Sequence, residues 1–88
     1  MNQPTTLRVY LIGYEPKGAP PLSEEKILKA MESVDCCVMI TLGWPIGAEM
    51  TAAFTTDGDH AGLKMGRTYV CRKHELGGKI AIVEEKKS

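Results

Sequence analysis

Apolar and polar residues alternate in the first patterned segment of the chain. Leu7, Val9 and Leu11 are separated by single residues, and Gly13 ends the run. A hydrophobic period of two predicts a strand that stops at this glycine. The following stretch, 14–22, contains three prolines and one glycine. This composition excludes a helix or a central strand and predicts a loop.

The hydrophobic spacing then changes to that of a helix. Ser23 is suited to the N-cap, and Glu24 and Glu25 follow where the helix dipole favours negative charge. An apolar stripe at helical spacing comes next, formed by Ile27, Leu28, Met31 and Val34. We therefore predict a helix from Ser23 to Val34.

A nearly continuous apolar run occupies residues 36–42. Runs of this kind are typical of strands that are covered on both faces in parallel sheets. Gly43 ends the run, and Pro45 is well placed to begin a helix because the first turn does not use its missing amide proton. Apolar residues then recur at helical spacing, at Ile46, Met50, Ala53 and Phe54. They predict a second helix.

The last two apolar segments, 67–73 and 79–83, predict strands that are joined at Gly77–Gly78 in a hairpin. The complete order is strand, helix, strand, helix, strand, strand. Alternation of this kind predicts an α/β fold, here a small Rossmann-like three-layer sheet with a C-terminal hairpin.

Length and charge limit the class of protein. The 88 residues suffice for one domain, 7–84, between a flexible N-terminus (1–6) and a charged tail (85–88). Eleven basic residues balance eleven acidic ones, which argues against dedicated nucleic-acid binding. No apolar run is long enough to span a membrane, and the N-terminus lacks the features of a signal peptide. We therefore expect a cytoplasmic protein with no membrane partner.

The small size also predicts self-association. A domain of this length has a thin core, and an open sheet has edges that need protection. We expect a homo-oligomer, specifically a homodimer that uses the C-terminal hairpin or a helix face.

The three cysteines predict free, reduced thiols and no metal site. Cys36 and Cys37 are adjacent, so a strand directs them to opposite faces, which is poor geometry for one zinc ion. Cys71 and His74 would be the remaining ligands of such a site. One glycine-containing turn carries residue types that bind cations but that also form solvated loops, namely Asp57, Asp59 and His60.

Candidate ligand-binding residues follow the first two strands. In open α/β sheets, ligands bind beyond the carboxyl ends of parallel strands. Glycines there allow close backbone approach, and free amides at a helix start favour an anion or a polar ligand. The residues at these positions are Gly13, Tyr14, Gly43, Trp44, Gly47, Ala48 and Glu49. Two of them have simpler alternatives: Trp44 as a cap on the edge of the core, and Glu49 as a first-turn acid that complements the helix dipole.

Short motifs in the chain carry a resemblance to a known family. They are the opening strand 8–13, the segment 33–44 that ends in Gly-Trp, the Gly-Ala-Glu at 47–49 and the segment 66–70. Together they resemble the nucleoside 2-deoxyribosyltransferase-like group, in particular its small phage and bacterial members, over residues 7–71. The resemblance implies that Glu49 is a nucleophile that attacks the anomeric carbon of a nucleoside.

Two functions follow as expectations. In the first, the strand ends bind a nucleoside or nucleotide, and Glu49 supports N-glycosidic hydrolysis or transfer without a cofactor. In the second, the chain is a non-catalytic accessory or protein-interaction factor of the phage type. The second is favoured by Trp44, Pro45 and Ile46, which fill the stretch where the enzymes of that group carry another acidic residue.

Overall fold

The computed structural model describes residues 6–52, 63–64 and 66–86. Within these residues the chain forms strands, one α-helix and a short 3-10 turn. In chain order these are β1 (Thr6–Ile12), α1 (Glu24–Met31), β2 (Cys36–Met39), β3 (Glu49–Thr51), β4 (Thr68–Glu75), the 3-10 turn (Leu76–Gly78) and β5 (Ile80–Glu85).

The strands form one mixed sheet in the order β2-β1-β5-β4-β3. β1 and β2 are parallel, and the other neighbouring pairs are antiparallel. Val9 in β1 lies opposite Cys36 on one side and Ala81 on the other. A bulge between Cys71 and Lys73 adds bend and twist to β4, and the sheet as a whole curls into a half-barrel.

The predicted Rossmann-like three-layer fold is wrong. Strands make up 40% of the described residues and helices 16%, which is too little helix to cover both faces of a sheet. The main error is the second helix, because Glu49–Thr51 is a strand that pairs antiparallel with β4. Ala53 and Phe54, the last apolar positions assigned to that helix, lie outside the described residues.

The physical reason for this error is an overlap of two periods. Ile46 and Met50 are four residues apart, as on a helix, but Ala48, Met50 and Ala52 are two residues apart, as on a strand. These last three side chains pack in or against the hydrophobic core, whereas Ile46 is 62% exposed. The residues that pack in or against the core are therefore the ones spaced two apart, as on a strand.

The first helix is confirmed, although it is shorter than predicted. Ser23 is its N-cap, and the hydroxyl oxygen accepts a hydrogen bond from the amide of Lys26 at 3.2 Å. No residue of α1 is fully buried, and Leu28 is 59% exposed. The apolar stripe is therefore only partly covered.

The predicted turn between the last two strands is also present. Leu76 and Gly77 both adopt positive φ, at 54° and 68°, and the turn leads directly from β4 into β5. β5 continues to Glu85, the first residue of the predicted tail. The predicted flexible N-terminus lies almost entirely outside the described residues, and Thr6 already belongs to β1.

The core lies on one face of the curled sheet. It is formed by alternate residues of the strands together with three side chains from the connections on either side of β3, namely Trp44, Ala52 and Leu63. Its buried members are Leu7, Val9, Leu11, Cys36, Val38, Trp44, Ala52, Leu63, Tyr69, Cys71, Ala81 and Val83.

Two of the three free thiols belong to this core. Cys36 and Cys71 are buried, and Cys37 is half-buried. Burial raises the pKa of the Cys36 and Cys71 thiols, because a thiolate loses its hydration in apolar surroundings. Between the ordinary thiol pKa, about 8.5, and the raised value, the unfolded chain has lost these protons while the folded chain keeps them. Rising pH in that range therefore favours unfolding.

We expect the free energy of unfolding to fall as the pH rises from about 8 to about 10, and to fall less steeply in Cys71→Ala. The measurement is chemical denaturation across this pH range. Val83→Ala, which truncates the fully buried residue opposite Cys71, is the control for lost packing. It should lower stability at every pH and keep the wild-type slope. A wild-type slope in Cys71→Ala would contradict the prediction.

Candidate functional site

The parallel pairing of β1 and β2 brings together the predicted site residues that follow these two strands. A methyl group built on Gly13 would lie 3.8 Å from the Thr41 Cγ2 atom. A methyl group built on Gly43 would lie 2.6 Å from the Tyr14 Cζ atom. Gly13, Tyr14 and Gly43 therefore form one cluster at the carboxyl ends of the strands.

The close approach at Gly43 is made by the protein itself. The Tyr14 ring packs against the backbone at Gly43, which has a φ of +74°, and it also lies 3.7 Å from the position of a methyl group on Gly78. A side chain at position 43 would overlap the ring. The group that approaches Gly43 closely is therefore the Tyr14 ring, and not a ligand as the sequence predicted.

Trp44 is a core residue, as its simpler alternative predicted. The side chain is 4% exposed, and its indole Nε1 donates a hydrogen bond to the Ala48 carbonyl oxygen at 3.0 Å. The Trp44 carbonyl oxygen lies 2.5 Å from the His74 Nε2 atom in β4. Trp44 is thus held at both its side chain and its backbone, and its indole nitrogen already has a partner.

In the turn before β3, the amides of Gly47 and Ala48 are already bonded within the protein. The Gly47 amide donates to the Cys71 carbonyl oxygen at 2.8 Å, and the Ala48 amide donates to the Pro45 carbonyl oxygen at 3.0 Å. The Cys71 amide in turn donates to the Ala48 carbonyl oxygen at 3.1 Å. These bonds continue the pairing of β3 with β4 to the residues that precede β3. The predicted helix start at Gly-Ala-Glu is therefore wrong, and the Gly47 and Ala48 amides that were expected to face an anion have partners within the protein.

Glu49 is the first residue of β3 and lies opposite Val70 in β4. Its side chain is 47% exposed, and one carboxylate oxygen is 2.8 Å from the Lys86 Nζ atom. The structure therefore places Glu49 in a surface ion pair, apart from the cluster around Tyr14. Its role as a nucleophile stays a prediction.

No group of three or more potential metal ligands occurs among the described residues. In particular, the structure does not gather the candidate zinc ligands Cys36, Cys37, Cys71 and His74 into such a group. The candidate cation ligands Asp57, Asp59 and His60 lie outside the described residues.

The structure also contains an apolar cavity of about 450 Å³ that was not predicted from the sequence. The two edge strands of the curled sheet, the end of β1 and the long connections all contribute to its wall. The lining residues are Ile12, Cys37, Val38, Met39, Ile40, Trp44, Met50, Thr51, Ala52, Leu63 and Tyr69. The period-two spacing of Ala48, Met50 and Ala52 could have predicted the strand β3 in its wall, but not the position of that strand opposite β2.

No family model, curated protein or solved structure matches the chain. The resemblance to the deoxyribosyltransferase-like group therefore remains a prediction that rests on its short motifs. Among the helices that the structure describes, none has the length and hydrophobicity of a membrane span.

The contact between Tyr14 and Gly43 generates a stability prediction. Gly43→Ala should destabilise the fold by about 2–5 kcal/mol, because alanine is strained at positive φ and its methyl group also overlaps the Tyr14 ring. Gly47→Ala is the matched control, because Gly47 has a φ of +88° but no atom within 4 Å of an added methyl group. It should lose only about 1–2 kcal/mol.

Thermal and chemical denaturation measure both changes, and a Tyr14→Ala background separates their causes. With the ring removed, Gly43→Ala should lose no more stability than Gly47→Ala. An equally large loss with and without the ring would show that Tyr14 is not the reason for the glycine.

The position of Glu49 generates a second prediction. Glu49→Gln removes an exposed ion pair, so the free energy of unfolding should change by no more than about 0.5–1 kcal/mol. Calorimetric titration with a panel of nucleosides and nucleotides should give the same heats for wild type and variant. A heat that wild type shows and Glu49→Gln loses would contradict the purely structural role and support the nucleophile.

Proposed function

We propose that this chain is a non-catalytic protein-interaction module that pairs with a second copy of itself through the outer edge of β2. The observation that carries the proposal is a set of exposed apolar side chains on and just after this strand. Met39 is 79% exposed, Leu42 is 85% exposed and Ile46 is 62% exposed. We call the outer edge of β2 together with these three side chains the β2 edge surface.

The backbone at this surface is open to pairing. β2 is the last strand of the sheet on its side, so no described strand pairs with its outer edge. Natural edge strands are protected by charged residues, prolines, bulges or short length. Residues 36–42 contain no charged residue, no proline and no glycine. The other edge strand, β3, is of similar length, with three residues against four in β2, but it begins with the charged residue Glu49.

A second copy suits this surface better than a charged partner. Two β2 strands related by a two-fold axis run antiparallel, and each places its own uncharged run opposite the same run of the other copy. No like charges then face each other across the strands. The chain has a formal net charge of zero, so long-range repulsion between two copies is small.

This proposal replaces the expected dimer surfaces with a different one. The sequence favoured the C-terminal hairpin or a helix face. In the structure, both strands of the hairpin already have partners on each side, because β5 lies between β1 and β4, and β4 lies between β5 and β3. The helix face remains a competitor, since Leu28 of α1 is 59% exposed.

Sedimentation equilibrium on wild type and two lysine variants tests the proposal. Wild type should sediment as a dimer of the 9.6 kDa chain at high micromolar concentration. Met39→Lys adds a charge to the edge of β2, where two copies would bring two such charges close together, and should give monomers. Leu28→Lys is the matched control, because it makes the same type of change at an exposed apolar residue outside the β2 edge surface.

Each outcome distinguishes the surfaces. A monomeric wild type at millimolar concentration would overturn the proposal. So would a Met39→Lys variant that remains dimeric, and a loss of the dimer in Leu28→Lys alone would assign the interface to α1. Amide hydrogen exchange supplies a second measurement, because exchange in β2 should slow as the protein concentration rises.

A further inference from the structure

We infer that the apolar cavity is a binding site for an uncharged aromatic or fused-ring molecule. This inference goes beyond the proposed dimer, because it rests on the cavity wall, which shares only the Met39 side chain with the three side chains of the β2 edge surface. The cavity forms where the curled sheet brings its two edge strands towards each other. β2 contributes Cys37, Val38 and Met39, and β3 and the residue after it contribute Met50, Thr51 and Ala52.

The chemistry of the wall excludes charged ligands. None of the lining residues that the structure describes carries a charge. The polar groups of the aromatic residues are already bonded, because the Trp44 indole donates to Ala48 and the Tyr69 hydroxyl accepts from the Lys64 amide at 2.9 Å. The Thr51 hydroxyl pairs with the Thr68 hydroxyl at 2.8 Å. A charged ligand would lose its hydration here without gaining a partner.

The size of the cavity indicates the size of the ligand. A cavity of roughly 150 Å³ lined by apolar side chains accommodates one benzene molecule. The present cavity is about 450 Å³, which is sufficient for two or three fused rings. Its volume and apolar lining are those of small-molecule sites. Methionine side chains adapt to ring systems of different shape, and Met39 and Met50 supply two such side chains on opposite walls.

One entrance to the cavity is identified by exposure. Met39 lines the cavity and is nevertheless 79% exposed, so it lies at the boundary between the cavity and solvent. Cys37 is half-buried and also lines the cavity, whereas Cys36 and Cys71 are buried and do not. The reactivity of the Cys37 thiol can therefore report whether the cavity is occupied.

Fluorescence titration with N-phenyl-1-naphthylamine, an uncharged aromatic probe, tests the inference. Trp44 is the single tryptophan of the chain and lines the cavity, so bound probe should quench its emission by energy transfer. We expect saturable binding of one probe per chain. The sulfonated analogue 8-anilinonaphthalene-1-sulfonate has the same rings with a negative charge and should bind at least about tenfold more weakly.

Two variants locate the bound probe. Ala52→Leu fills the cavity from a buried lining position and should weaken binding of the neutral probe by at least about tenfold. Ala30→Leu makes the same change on α1, away from the cavity, and should bind like wild type. Both variants are also prepared with Leu42→Lys, so that loss of a dimer is not mistaken for loss of the site, because Leu42 belongs to the β2 edge surface but does not line the cavity.

Protection of Cys37 in wild type provides a test that does not depend on the folding of a variant. Saturating neutral probe should slow the reaction of Cys37 with a thiol reagent, followed by mass spectrometry of the labelled peptide. Absence of saturable quenching would overturn the inference, as would equal binding by Ala52→Leu or tighter binding of the sulfonated probe. Quenching without protection of Cys37 would place the probe outside the cavity and would also overturn it.

Discussion

β1 is the strand on which the two halves of the sheet depend. It pairs in parallel with β2 on one side and antiparallel with β5 on the other. Val9 and Leu11, on its core face, are fully buried, and each faces a core residue of β2. Loss of this strand would separate β2 from the antiparallel strands. The cavity would then lose one of its two edge strands, so both proposed binding surfaces require β1.

The ion pairs of Arg8 and Lys79 lie outside the hydrophobic core. Arg8 in β1 forms an ion pair with Glu75 in β4, across the intervening β5. Lys79 is buried, yet its partner Glu15, 3.3 Å away, is almost fully exposed. Both side chains of the Arg8–Glu75 pair are at least about a third exposed, and pairs at such exposure are worth about 0–1 kcal/mol. The fold is therefore stabilised mainly by its apolar face, and this is consistent with a core that contains no ion pair among its described members.

Much of the local structure was predictable from hydrophobic periodicity, but the fold class was not. β1, α1, β2 and the final turn follow from spacing, capping and glycine content. The second helix failed because Met50 satisfies both the helical spacing from Ile46 and the alternation with Ala48. The glycine at position 43 indicated close approach correctly, but sequence does not reveal that the approaching group is Tyr14. The cavity could not be foreseen because it arises from the curl that brings two distant edges together.

The pairing of β1 with β5 also determines when the chain can fold. Leu7 lies opposite Val83, so β1 acquires its antiparallel neighbour only after residues 80–85 have been synthesised. Long-range pairing of this kind slows folding and leaves earlier segments exposed in the meantime. During that interval the uncharged run 36–42 has its parallel partner β1, but the antiparallel strands that complete the core are still missing. The apolar segment 36–42 is therefore open to association with other chains until β5 takes its place beside β1.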